Sequence, residues 1–455
     1  MSSKTKNRSV FHVDGVPTLD KATPLALQHV LAMLVGNITP AIIVAGVVGA
    51  TIGQQTLLIQ ASMIAAGLST LLQLYPIWRF GSRLPVITGV SFAFVPTLIS
   101  LGALYGLPAI FGSAVIGGIA AMVVGIFITP LRKHFPPIVA GTVVLTIGLS
   151  LYPVATGYMA GGFGSPDFGS PLNWGIAVVT LISVLLCNQF AKGYTKLASI
   201  LVGIGVGYVV SLVAGIVDFT AVYDAAWFAL PTFMPFEMAF PPAAVITTIL
   251  VFIVASVEMV GDLSAIAGGG IGREVTDREL SGGILAMGFS SAVAALFGGL
   301  PVATYSQNVG IVLMTKVTSR FVIAIASGFI LVAGFIPKFG ALMTTVPAPV
   351  LGGATVTVFA MITMAGVQII IEDELSTRNV TIVGLAVALG MGIVGVDGAL
   401  AQFPEWVNVI FGESAVVISS VLAFTLNLLL PKKSLADEQR ERDAMESKTI
   451  ESVSA

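Results

Sequence analysis

The chain has 455 residues, 56% of them hydrophobic and 10% charged, with a mean hydropathy of +0.99. A water-soluble domain carries about 25% charged residues, so this chain cannot cover itself with charge and reads as an all-α polytopic membrane protein, and a disordered chain is excluded with it. The formal net charge of −2 excludes bulk attraction to nucleic acid, and the single cysteine, Cys187, excludes a disulfide framework, a CxxC redox pair and a cysteine-rich metal site.

Residues 1–23 are polar, without an apolar stretch ending in a small-residue cleavage site, so they read as a cytoplasmic N-terminal segment and not a signal peptide. A membrane crossing needs about 20 mostly apolar residues, fewer where two half-helices share one crossing. Fourteen segments satisfy this: 24–46, 54–76, 84–103, 107–131, 136–157, 173–191, 197–217, 242–266, 281–297, 301–316, 320–337, 347–371, 379–396 and 411–430. Short cytoplasmic loops collect Lys and Arg. With the N-terminus inside, this division puts 20 of the 21 basic residues on the cytoplasmic side and only Lys338 outside. The proposed outer loops 158–172 and 218–241 hold Asp167, Asp218, Asp224 and Glu237 and no basic residue. Residues 431–455 read as a charged cytoplasmic tail.

The chain repeats itself weakly. Leu84-Pro85-Val86-Ile87-Thr88 returns as Leu300-Pro301-Val302-Ala303-Thr304, and Pro137 to Val144 returns as Pro349 to Val356, in the same order and at nearly one spacing. Two halves of seven spans follow. An odd number per half inverts the second copy, the plan of secondary transporters that bind substrate at the midplane between broken helices.

Ionisable residues inside apolar spans mark function, because each is costly there. Glu258 follows thirteen uncharged residues, Val245 to Val257. Asp262 lies four residues on, on the same helical face. Two carboxylates so placed disfavour double ionisation, which makes the pair a candidate proton carrier; alternatively Asp262 caps or solvates a helix end. His29 is a titratable group early in the first span, either a working residue or a satisfied structural donor. The amides of Gln307 and Asn308 present donor and acceptor side by side, suited to the alternating edge of a nucleobase or to backbone groups freed by a broken helix. Phe92, in the matching break of the first half, is placed either to stack on a flat ring or to fill core.

At these residues the chain resembles the nucleobase-ascorbate transporters. Gln307-Asn308-Val309-Gly310 through Thr315-Lys316 fits the family signature Gln/Glu/Pro-Asn-x-Gly-x4-Thr-Arg/Lys/Gly at every fixed position. Gln28-His29, Ser91-Phe92-Ala93-Phe94 and Glu258-Met259-Val260-Gly261-Asp262 resemble its first-, third- and eighth-span motifs, and the resemblance covers residues 24 to 430.

The resemblance implies a seven-plus-seven inverted-repeat fold with short strands in the third and tenth spans. It implies a core domain of 24–135 and 242–337 and a gate domain of 136–217 and 347–430. It also implies a homodimer in the bacterial inner membrane, cotransporting a nucleobase with protons, sodium not excluded, by an elevator-like movement and without a cofactor or bound metal. Glu258, Gln307, Phe92, Ser91 and Ser306 would meet the substrate; His29, Asp262, Asn308, Thr304 and Gly310 would support geometry and coupling. Glu-x-x-Gly-Asp together with Gln-Asn is similar to the xanthine and uric acid branch, with a uracil or broad nucleobase permease as the alternative. Two departures stand out: Ala286-Met287-Gly288, where purine-transporting relatives commonly carry an acid before Gly, and Pro301-Val302-Ala303-Thr304, where relatives often have Pro-Asn-Thr.

Three other classes compete. A carrier of the related sulfate-carrier fold would want no carboxylate beside an anionic substrate, which Glu258 opposes. A channel needs a continuous polar path, whereas the intramembrane polar residues cluster at one depth. A membrane enzyme would show a motif such as HExxH or GxSxG, and none occurs.

Overall fold

The computed structural model describes residues 11–131, 136–441 and 443–444. Of the basic residues that orient the chain, Lys4, Lys6, Arg8, Arg132, Lys133, Arg442 and Lys448 lie outside the described residues. Helices α1 (Leu19–Val47) and α2 (Ile52–Leu74) lead to a three-residue strand β1 (Thr88–Val90) and helix α3 (Val95–Ile126). There follow α4 (Pro137–Ser150), α5 (Tyr152–Met159), α6 (Pro171–Phe190), α7 (Ser199–Val213), α8 (Pro242–Ala265) and α9 (Asp277–Leu296). Strand β2 (Val302–Thr304) and the ten-residue α10 (Ser306–Thr315) come next. The chain closes with α11 (Arg320–Gly334), α12 (Pro337–Thr344), α13 (Ala348–Ile370), α14 (Thr377–Val394) and α15 (Ala415–Leu429).

Among the described residues nine helices are long and apolar enough to cross a membrane, eleven if each of two sharply bent pairs forms one crossing. Three of the fourteen expected segments account for the difference. Segment 107–131 continues α3 beyond a break at Gly106, whose φ of 73° and ψ of −175° no L-residue adopts easily, just before Pro108. Segment 197–217 contains α7, only 15 residues long, and 301–316 is a strand and a short helix.

The described residues divide into two compact units, those within 1–131 together with 151–359, and those within 132–150 together with 360–455. In the larger unit α3 lies against α9 through small residues. A Cβ on Gly118 would come within 2.5 Å of the Gly288 carbonyl, so the backbones meet where only glycine fits. Met287 beside it is fully buried. The N-terminal segment straps the start of α11. Thr318 N–H donates to Phe11 O (2.9 Å), Arg320 N–H to Val13 O (3.1 Å) and Ser319 Oγ to Gly15 O (2.6 Å). The Arg320 guanidinium also pairs with Asp14 and holds its carboxyl below the usual range. The smaller unit has its own core of Ile138, Val139, Ile370, Ile382, Ala386 and Ala423, with a buried Thr146–Ser419 hydroxyl contact at 2.8 Å.

Candidate functional site

The two repeats of Leu-Pro-Val lead into the two strands, which pair antiparallel in the larger unit with Thr88 opposite Thr304, Gly89 opposite Ala303 and Val90 opposite Val302. Backbone bonds extend the ladder at both ends, Tyr305 N–H to Ile87 O (3.0 Å) and Ser91 N–H to Pro301 O (3.4 Å). A strand pair within a membrane protein must satisfy its outward peptide groups without bulk water. Side chains do so here. Thr70 Oγ1 accepts from Thr88 N–H and lies 3.0 Å from Thr88 O. Val90 N–H donates to Asn37 Oδ1 (2.9 Å) and Val90 O accepts from the Tyr305 hydroxyl (2.6 Å). Ser291 Oγ serves Val302 in the same two-sided way, at 3.1 and 3.2 Å. Asn37, Thr70, Ser291 and Tyr305 were not singled out by sequence reasoning. Their signal was isolated polar groups within apolar spans.

Each strand runs into a helix start, α3 after β1 and α10 after β2. Neither N-cap residue, Phe94 or Tyr305, supplies a side-chain cap. The first turn of α10 therefore presents amide donors and the positive end of a helix dipole, whereas in α3 Val95 N–H donates to Phe92 O (3.1 Å) and Pro96 has no N–H.

Helix α8 brings the carboxylates. Asp262, buried, accepts from the hydroxyl of Thr304, in a short contact, and from Ser306 Oγ at 3.2 Å, so it pins the junction of β2 and α10. Glu258 sits one turn earlier, and its Oε2 is buried without a hydrogen-bond partner. The two carboxylates thus differ: one has two donors, while the other has an oxygen with none.

His29 and Asn308 meet. Asn308 Nδ2 donates to the carbonyl of His29 (3.0 Å) and lies 3.1 Å from its Nδ1. A carbonyl only accepts, which fixes the amide orientation, and Nδ1 is then the acceptor, leaving the ring proton on Nε2. Asn308 therefore ties α10 to α1, while its Oδ1 stays buried and unpartnered, as does Gln28 Oε1.

Gln307 is half-buried and makes no side-chain hydrogen bond among the described residues. No hydrogen bond joins it to Glu258. Phe92 is buried edge-on against Phe359, with centroids 5.1 Å apart at 79°. Ser91 Oγ accepts from Ala93 N–H at 3.1 Å. Gly310 is exposed, and a Cβ there would meet nothing within 4 Å, so packing does not require a glycine.

Two short strands pairing within a bundle of long apolar helices define a polytopic membrane protein. The transmembrane domain of a cyanobacterium bicarbonate transporter, BicA, superposes with a TM-score of 0.57 at 13% identity, covering 90% of this chain and 98% of that one. The family model Xan_ur_permease, a permease family, matches residues 20–398. The chain belongs to this family, the nucleobase-ascorbate transporters. It is 38% identical over 412 residues to the uric acid permease PucK of Bacillus subtilis, covering 90% of this chain and 95% of the relative. It is 35% identical over 434 residues to the xanthine permease of the same organism, covering 94% and 98%.

Proposed function

We propose that this permease imports a purine nucleobase, xanthine or uric acid, together with a proton across the bacterial inner membrane. The observation that carries the reading is the carboxylate pair of α8, in which Asp262 is fixed to the β2–α10 junction while Glu258 keeps a buried oxygen without a donor. An oxidised purine offers ring N–H groups that such an oxygen accepts from, and Gln307 offers an unengaged amide for the adjacent C=O and N–H edge. The names of the relatives agree with that substrate class. In this scheme Glu258 takes a proton from outside, the base binds, an elevator-like movement of a core domain against a gate carries both inward, and the less acidic cytoplasm releases them. The fourteen-crossing division with inverted halves, the core and gate boundaries given above, cytoplasmic termini and a homodimer complete the proposal.

Counterflow of labelled xanthine into vesicles loaded with unlabelled purine tests it. Xanthine and uric acid should compete strongly and uracil weakly, and a protonophore should collapse net accumulation while sparing counterflow. Absence of counterflow for every purine would remove the substrate assignment. Gln307→Glu keeps an acceptor and loses the amide donor, so it should reorder the competing bases by roughly tenfold, about the effect of one hydrogen bond, with surface expression unchanged. An unaltered ranking takes Gln307 out of the site.

A further inference from the structure

A cavity of the larger unit, of about 890 Å³, lies between the turn after α2 and the start of α9. Its volume is within the range of ligand sites, roughly 300–1,000 Å³. Arg79, Arg83, Arg278 and Arg320 line it, with Tyr75 and Trp78. The arginines are not equivalent. Arg320 is engaged by Asp14 and by the carbonyl of Leu74 (2.7 Å), with its guanidinium 5.3 Å over the Tyr75 ring, and Arg83 lies 3.9 Å from the same Asp14. Arg79 and Arg278 have no ion-pair partner among the described residues. Of the acids that line the cavity, Glu279 is taken up by Arg273 and by Thr276, and Asp277 is engaged as well. Among the described residues the cavity therefore holds two guanidinium groups, those of Arg79 and Arg278, without an ion-pair partner.

The turn is built and held in place. Trp78 (φ 55°) and Arg83 (φ 60°) both adopt left-handed backbone, a conformation that is strained for a non-glycine residue and persists only where surroundings enforce it. Three contacts enforce it. Fully buried Gln73 donates to Gly283 O (2.9 Å) and accepts from Ser82 N–H (3.0 Å), while Gly81 N–H donates to Gly282 O (2.8 Å). Ile77 and Phe80 exchange backbone bonds across the turn tip. That tip presents Ile77 and Trp78, 71% and 79% exposed, beside the arginines. An exposed Trp next to Arg is the pattern of a membrane–water interface, where the ring sits at headgroup depth.

We propose that this cavity is a binding site for a phosphate-bearing anion, held by Arg79 and Arg278 with Arg83 beside them, and that its occupant in the membrane is an anionic phospholipid headgroup. Guanidinium forks match phosphate oxygens in pairs, and an anionic leaflet supplies the ligand at high local concentration. Neither arginine belongs to the strand crossing or to α8, so the site is separate from that of the nucleobase.

The test is native mass spectrometry of the purified full chain from mixed micelles of phosphatidylglycerol and phosphatidylcholine, with inorganic phosphate added in a parallel arm. Wild-type protein should retain phosphatidylglycerol in preference, and the double variant Arg79→Gln, Arg278→Gln should lose that preference by roughly tenfold or more, as expected for two interfacial charges. Lys192→Gln with Lys196→Gln, which removes two charges elsewhere, should not. Displacement of the lipid by phosphate, or phosphate-dependent thermal protection without lipid selectivity, supports the site and assigns it a soluble occupant. Equal retention by the arginine variant, an equal loss in the lysine variant, or no binding in either arm overturns the proposal. Unchanged labelled-xanthine counterflow by the arginine variant establishes that it is folded.

Discussion

Glu258→Gln abolishes concentrative uptake: internal xanthine rises no higher than external xanthine, and the dependence of uptake on external pH disappears. The substitution keeps the shape of the side chain but removes its proton, and it turns one acceptor oxygen into an amide N–H donor that faces the N–H groups of the base. A buried donor set against a donor costs about 1–3 kcal/mol, so equilibrium binding in detergent weakens by roughly tenfold or more. Asp262→Asn behaves differently. Both hydroxyls that Asp262 receives arrive at one oxygen, Oδ2, and an asparagine with its carbonyl there accepts both. Binding is therefore largely kept, and the pH profile of uptake shifts because a like charge beside Glu258 is gone. The measurement is labelled xanthine uptake against external pH, with and without a protonophore, beside equilibrium binding. Wild-type accumulation and pH dependence in Glu258→Gln would make this carboxylate structural.

Gly89→Ala is expected to disrupt the strand crossing. A Cβ at Gly89 falls 2.5 Å from Cε2 of the Tyr305 ring and 2.7 Å from Asn37 Oδ1. These two side chains serve the peptide groups of Val90, so neither can retreat without orphaning a buried donor or acceptor. Overpacking of this kind costs about 1–3 kcal/mol, with further loss if a hydrogen bond opens. Thermal unfolding in detergent should shift down markedly, and base binding should fall with it. Gly310→Ala is the comparison: its added methyl meets nothing within 4 Å, and a helical Gly→Ala change is neutral or slightly stabilising. Equal melting temperatures for Gly89→Ala and wild type would show that the crossing tolerates a side chain and that this close packing is not what holds it.

The sequence made the helical, polytopic class legible because hydropathy is a local property, and the gap at 104–106 anticipated the break at Gly106. The repeated Leu-Pro-Val drew attention to both strand segments. It did not reveal their register, since the pairing of Thr88 with Thr304 depends on packing among residues far apart in the chain. The same limit hid the roles of Asn37, Thr70 and Ser291: a lone hydroxyl in an apolar span announces that it needs a partner, not which peptide group it will meet. The count of crossings was harder to read for another reason. Hydropathy marks apolar length, whereas α7, α10 and the continuation of α3 are distinguished by where backbone bonding starts and stops. Among polar residues, the proximity of Asp262 to Thr304 and Ser306 was equally out of reach, although each lay in a segment already of interest.

The side-chain bonds around β1 and β2 also set an order of assembly during synthesis. When β1 leaves the ribosome its partner strand is about two hundred residues from being made, a delay on the order of tens of seconds at typical elongation rates. The groups that Thr70 and Asn37 satisfy are already available, because both residues precede β1 in the chain. Half of the first strand's hydrogen-bonding can thus be settled by nascent-chain neighbours, whereas the edge carrying Gly89 must wait in the translocon or lipid for Ala303. That waiting edge is where a holding chaperone or an insertase would be needed most.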